Sequence, residues 1–186
     1  MYPNGLEQPQ HYDLGLLETV LEGKYRPGHF QGVCIIVHRL LEIILPDFLY
    51  MGQKDYQQCM VIRQLLKITG LEPKIKLDIS PTLREKNGLA MSSRNTRLNA
   101  DEFQTAAIIS QTLQFIKDNW HNTNLDQLRG LATEKLITKG LKPDYVEIAD
   151  AEDLKLIYEW DGHQKLVALV AAYMKEVRLI DNMLLN

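Results

Sequence analysis

The apolar positions change period several times along the chain, and each change marks an element. From Gln31 to Ile44 almost every residue is apolar, with Val33, Ile36, Val37, Leu40, Leu41 and Ile44 at helical spacing. This pattern predicts a helix buried on most faces, although its β-branched content also suits a strand in part. Pro46 to Met51 is a short apolar run bounded by a proline and a glycine, which predicts a buried strand. Val61, Ile62, Leu65, Leu66 and Ile68 return at helical spacing, and Gly70 stands where a C-terminal stop belongs. Lys74 to Ile79 alternates with period two, as a strand with one polar face does. Strand, helix and strand in succession predict a parallel, right-handed βαβ unit. Upstream, residues 1–13 are polar and rich in Pro, Gly, Gln and Asn, so they are expected to be irregular. Leu14 to Leu21 suits a short helix stopped at Gly23, and Arg26 to Phe30 a loop.

Ser80-Pro81-Thr82-Leu83 reads as a linker, because Pro81 restricts the residue before it and the strand pattern ends there. A domain boundary near Leu83 divides the chain into residues 1–82 and 83–186. Arg84 to Leu98 is polar and lacks apolar periodicity, a length of loop that points to function rather than simple connection. Asn99 with Glu102 three residues later forms a capping box for a helix whose face is Ala106, Ile109, Leu113, Ile116 and Trp120. A second helix spans about Leu125 to Lys139, with Leu125, Leu128, Ala132 and Leu136 inward and Gly140 as its stop. Three strand-like runs follow: Asp144–Ala149, Lys165–Met174 and Val177–Leu185. Lys175-Glu176 makes the last two a hairpin, and Asp161-Gly162 lies in the longer connection before it. The fold class expected is therefore α/β: a parallel βαβ unit, then a small α+β domain with two helices on an antiparallel sheet.

A net charge of −3 over 186 residues, without basic clusters, gives no reason to expect nucleic acid. No apolar run is long enough to span a bilayer, and residues 1–5 carry neither the basic nor the apolar region of a secretory signal. The two cysteines, Cys34 and Cys59, fall in the predicted apolar helices and lack ligand-spaced partners. They read as reduced core thiols of a cytoplasmic protein.

Two stretches carry candidate chemistry. Gly52-Gln53-Lys54-Asp55 lies between a predicted strand and a predicted helix. Free N–H groups at a helix start, and the positive end of its dipole, favour an anion there. Glycine admits a phosphate close to the backbone, and Lys54 adds a mobile charge. An ordinary βα turn with a surface lysine has the same appearance. In the long loop, Gly88-Leu89-Ala90-Met91-Ser92-Ser93-Arg94-Asn95 combines two hydroxyls with a permanently charged donor fork, which suits a polyphosphate. Local backbone hydrogen bonding by Ser and Asn is the other reading of that loop.

Taken in order, the motifs are more specific. Arg26-Pro27-Gly28-His29-Phe30-x-Gly32-Val33, Gly52-x-Lys54-Asp55-Tyr56-Gln57-Gln58, Pro81-Thr82-x-Arg84-Glu85, Gly88 to Asn95, and Arg178-Leu179-Ile180-Asp181-Asn182 together resemble the pantothenate synthetase (pantoate–β-alanine ligase) family over essentially the whole chain. The resemblance implies that the first part belongs to a partial Rossmann-like nucleotidyltransferase domain. It also implies ATP-dependent activation of pantoate to pantoyl adenylate, followed by attack of β-alanine to give pantothenate and AMP, with Mg2+ accompanying ATP. It implies that Gly52, Gln53, Lys54 and Asp55 hold ATP, Asp55 through the ribose, and that Gln58 hydrogen-bonds pantoate. Val33, Ile36, Val37 and Met51 would pack around the pantoate methyls. Leu83, Met91, Ser92, Ser93 and Arg94 would close over the nucleotide as a lid, hinged near Leu83. Lys54, Ser92, Ser93 and Arg94 are the implied catalytic set, and no protein metal ligand is implied.

The sequence also departs from the family. The His-x-Gly-His signature expected on an earlier strand–helix turn is absent, since no pair among His11, His29, His38, His121 and His163 has that spacing. The chain accordingly reads as a C-terminal part, weakly active or inactive alone, or else as a non-catalytic folding or oligomerisation module. A related nucleotidyltransferase with another acid substrate is a third reading, which Gln58 and the Ser-Ser-Arg-Asn loop argue against. An exposed sheet edge would favour a homodimer or other self-association. Met51 stands where the family usually has phenylalanine, Asn87 where aspartate is common, and Met174-Lys175-Glu176 lacks a frequent glycine.

Overall fold

The computed structural model describes residues 10–186; the expectation of irregular structure for residues 1–9 lies outside the described residues. The chain divides into two compact units, the first ending at Ser80 and the second opening at Pro81.

The first unit contains helices α1 (Leu21–Tyr25), α2 (His29–Ile44) and α3 (Tyr56–Ile68) with strands β1 (Phe48–Gly52) and β2 (Lys76–Ser80). The strands pair in parallel, Leu49 opposite Leu77 and Met51 opposite Ile79. Leu49 and Leu77 pack with Leu41 of α2 and Leu66 of α3 around Ile75. The period-two rule accounts for this: alternate residues of each strand face the helices. It also corrects two expectations. β1 is not a buried strand, because Phe48 and Tyr50 are 52% and 68% exposed on the alternate positions. Nor is α2 buried on most faces: Phe30, Cys34 and Leu41 are buried, while Ile36, Ile43 and Ile44 are exposed. In both cases the described residues supply cover for one face only, and composition alone cannot distinguish one covered face from two.

A third correction concerns Gly23, which lies inside α1 rather than ending a helix. Residues 15–18 form a 3-10 turn, and a Cβ at Gly23 would stand 2.5 Å from the carbonyl oxygen of Glu18 and 2.8 Å from that of Leu17. Glycine is there because two backbone segments touch. The amide of Gln57 on α3, nearly fully buried, locks the same segment. Its Oε1 accepts from Glu22 N at 2.9 Å, and its Nε2 donates to the carbonyls of Leu17 at 2.8 Å and Val20 at 3.0 Å.

The second unit packs α4 (Ala100–Ala106), α5 (Ile108–Asn119) and α6 (Leu125–Thr138) on a sheet of β3 (Lys142–Asp150), β4 (Leu166–Met174) and β5 (Val177–Leu184). The sheet is antiparallel in the order β3-β4-β5. The capping box at Asn99 and Glu102 forms as the sequence predicts. The single helix expected after it is broken at Ala107, whose carbonyl accepts a bond from Ser110 Oγ at 3.0 Å. Asn124 caps α6, and Gly140, at φ +81, takes the left-handed position after it. Ile109, Leu113, Ile116, Leu128, Ala132 and Leu136 meet the inner face of β4 in one core. A parallel βαβ arrangement followed by an antiparallel three-strand sheet under helices is the fold class expected.

Candidate functional site

In the first unit, β1 ends at Gly52, residues 53–55 form one 3-10 turn, and α3 begins at Tyr56. Neither helix start carries a side-chain cap from its N-cap residue. Gly52 is extended, at φ −78 and ψ 130, and a Cβ there would meet nothing within 4 Å. Neither its conformation nor packing among the described residues demands glycine at that position. Its missing side chain leaves room over the strand end. Lys54 Nζ lies 3.7 Å from Asp55 Oδ2; the lysine is largely covered and the aspartate half exposed.

Gln58 sits in the first turn of α3, half-buried, next to the structural Gln57. Cys59, one residue on, donates to the Gly52 carbonyl at 3.5 Å, fastening the strand end to the helix. Burial, reinforced by Asp55, pushes its thiol up to about 11. Burial, then Glu18, pushes Cys34 up to about 12. Both cysteines are thus buried neutral thiols. Val33, Ile36 and Val37 lie on α2 and Met51 on β1; of these, Val37 joins the cluster beneath the sheet, whereas Ile36 is half exposed. His29, at the start of α2, is held below its usual value by burial and then by Arg26, whose Nη2 is 3.2 Å from its Nδ1.

In the second unit, residues 83–91 form a tight hairpin-like turn. Arg84 bridges Ala90, Met91 N donates to Leu83 O at 2.9 Å, and Glu85 N donates to Leu89 O at 2.8 Å. Gly88 turns the chain at φ +92 with only 3.0 Å from a would-be Cβ to Ser110 Oγ. Asn87 fixes the turn by accepting from Leu89 N at 3.1 Å and donating to Phe103 O at 3.0 Å. Ser92 then caps the 3-10 segment Ser93–Arg97, its Oγ accepting from Arg94 N at 3.2 Å. Asn95 is buried and donates to Ala90 O at 3.1 Å. The stretch expected to be a polar loop is therefore an ordered platform. Met91 and Ser93 are exposed on it, as is Leu83 at 76%, while Arg94 is half-buried.

Two arginines tie this platform to β5. Arg94 Nη1 donates to Arg178 O at 3.2 Å, and Arg178 Nε in turn donates to Asp144 Oδ2 at 2.7 Å. Asp144 is the residue left out of register at the β3–β4 irregularity. Arg84 forms a two-pronged ion pair with the buried Asp181 at 2.6 and 3.2 Å. Arg84, Asp144, Arg178 and Asp181 were not among the sequence-predicted site residues. Three of them belong to the quoted motifs, and that was the available signal; Asp144 had none. Each unit brings together its own predicted set: Gly52 to Gln58 in the first, Leu83 and Met91 to Arg94 in the second. Among the described residues, no group of three or more His, Cys, Asp or Glu side chains is placed to hold a metal ion. No helix of the described residues is long and apolar enough to cross a membrane.

The family model described as pantoate-beta-alanine ligase matches residues 1–184. A pantothenate synthetase of Azobacteroides pseudotrichonymphae is 38% identical over 174 residues, covering 93% of this chain and 61% of that protein. The crystal structure of pantothenate synthetase from Thermus thermophilus aligns at TM-score 0.88 and 32% identity, over 98% of this chain and 65% of that one. That of pantoate-beta-alanine ligase from Francisella tularensis, complexed with beta-gamma ATP and beta-alanine, aligns at TM-score 0.71 and 33% identity, over 98% of this chain and 60% of the other. The chain thus spans less than two thirds of the length of these relatives.

Proposed function

We propose, from the premise that the chain belongs to the pantoate-beta-alanine ligase family, that it carries the ATP turn and the nucleotide platform of a pantoate-activating ligase. The observation that supports this best is the end of β1. An unforced glycine there opens directly into an uncapped helix start beside Lys54. A triphosphate fits that chemistry: a helix start, a lysine beside it and no side chain at the strand end. The first unit would hold ATP through Gly52, Gln53, Lys54 and Asp55 and the pantoate through Gln58, with Val33, Ile36, Val37 and Met51 against its methyls. The second would supply Leu83, Met91, Ser92, Ser93 and Arg94 as a nucleotide lid. Magnesium would arrive on the triphosphate as part of the substrate.

In the proposed reaction a pantoate carboxylate oxygen bonds to the α-phosphorus and pyrophosphate leaves. The β-alanine nitrogen then bonds to the acyl carbon, AMP leaves, and the amine proton passes to solvent. Charge grows on phosphate oxygens in the first step, so the work of the protein is positioning and positive charge from Lys54 and Arg94. No protein nucleophile is required. No His-x-Gly-His pair exists in these 186 residues, so turnover by them alone is expected to be weak. The test is pantoate- and β-alanine-dependent AMP release, with Lys54→Ala as control. Release that is unaffected by the substitution sinks the role given to Lys54.

We further propose that the chain self-associates. Ile36, Ile43, Ile44, Leu45, Phe48 and Tyr50 leave α2, its following loop and β1 with exposed apolar side chains, more than a lone soluble surface usually shows. A monomer by light scattering across a wide concentration range would refute this.

A further inference from the structure

We infer that the Arg84–Asp181 ion pair is the positioning element that presets Met91–Arg94 for the nucleotide, an inference that rests on the reading above. Asp181 on β5 is almost entirely buried, and its carboxylate takes donors from two directions. Oδ2 accepts from Arg84 Nη1 at 2.6 Å, and Oδ1 accepts from Arg84 Nη2 at 3.2 Å and Asn182 N at 2.8 Å. The same Arg84 Nη1 also donates to Gly88 O at 3.1 Å. One guanidinium therefore closes its own turn and pins it to a strand 97 residues away in sequence. The segment after the turn continues from it: Met91 N bonds to Leu83 O, Asn95 holds Ala90 O, and Ser92 caps the segment that carries Arg94, which Arg94 also ties to Arg178 O.

The chemistry favours positioning over stability as the reason for the pair. A buried ion pair gains little over an apolar pair of the same shape, but losing one member leaves an uncompensated charge. What the fork supplies is direction. Two parallel N–H···O bonds fix the angle of Arg84, which a single-point cation cannot do. Leu89 and Ala90 are buried, Leu89 in the core of the second unit, whereas Leu83 and Met91 at the ends of the turn are exposed; hydrogen bonds, not apolar cover, hold those ends together. Arg84 and Asp181 contribute to the nucleotide only through Ser92–Arg94; they are positioning residues.

The experiment compares the full chain with Asp181→Asn and Arg84→Lys. Asp181→Asn keeps the shape and removes the charge, whereas Arg84→Lys keeps the charge and removes the fork. Hydrogen exchange is read at the amides of Met91, Arg94 and Asn95 and, separately, at those of α5 and α6. ATP affinity is measured by titration. The expected result is exchange raised roughly tenfold or more in the loop alone, less for Arg84→Lys than for Asp181→Asn, with ATP affinity falling in the same order. The double variant should be no worse than Asp181→Asn, as expected of residues acting as one pair. Unchanged loop exchange in both variants overturns the proposal, and so does exchange raised equally throughout α5 and α6. If the unaltered chain binds no ATP while the loop loosens selectively, the pair is supported as the loop's clamp and the nucleotide reading fails.

Discussion

Replacing Gln57 with leucine keeps the volume of a buried side chain and removes every hydrogen bond it makes. Its amide holds Glu22 N at 2.9 Å, Leu17 O at 2.8 Å and Val20 O at 3.0 Å. Val20 O keeps a second donor, Lys24 N at 3.3 Å. Glu22 N and Leu17 O belong to buried residues. Leu17 O loses that partner, and a stranded buried backbone group costs about 1–3 kcal/mol. Even that one loss is a sizeable part of the roughly 5–15 kcal/mol that holds an ordinary domain together. Circular dichroism in urea should show the transition of the first unit moving to lower denaturant. Both tryptophans, Trp120 and Trp160, lie in the second unit, so their fluorescence follows that unit separately. A loss below about 1 kcal/mol would refute the assignment of Gln57 as the lock on residues 17–22, since it would be less than even one stranded group costs.

Three other outcomes follow from the same structure. Cys34 and Cys59 are buried, with thiols pushed up to about 12 and about 11; a thiol reagent should label them only as the chain unfolds, and prompt labelling of the folded chain contradicts this. His29 is lowered from its ordinary 6.5 by burial and then Arg26, with Glu22 and Asp55 pulling the other way. The unfolded chain therefore binds this proton first as pH falls, so its contribution is complete above 6.5 and is lost as pH falls through the lower folded value. His29→Gln should flatten that part of the urea-midpoint profile, and a persisting slope would place its origin elsewhere. Gly23→Ala drives a Cβ against backbone oxygens at 2.5 and 2.8 Å and should cost about 1–3 kcal/mol or more; an unchanged urea midpoint would show that the segment yields.

What the sequence conveyed was periodicity and local chemistry. The capping box at Asn99, the inward stripe from Ala106 to Trp120 and the hairpin at Lys175 were legible because each depends on residues a few positions apart. Cover was not legible. A run such as Val33 to Ile44 has the same composition whether one face or two are packed, and here Ile43 and Ile44 stand in the open. In sequence alone, a glycine needed for close approach, such as Gly23, looks the same as a glycine that ends a helix. The Gly52–Asp55 turn was visible as strand, glycine, lysine and helix. The platform's dependence on Asp181 was not, because the carboxylate lies 97 residues from the arginine it holds.

The central claim is that the turn after β1 binds the nucleotide through Lys54. Its most direct test is titration of MgATP into the purified chain and into Lys54→Ala, with circular dichroism to confirm that both are folded alike. A charge-assisted bond to a phosphate is worth about 1.5–3 kcal/mol, or roughly 10- to 150-fold in affinity. The account predicts that the unaltered chain binds MgATP and that the substitution weakens binding within that range. Equal affinity in the two proteins, or no binding by the unaltered chain, would contradict it.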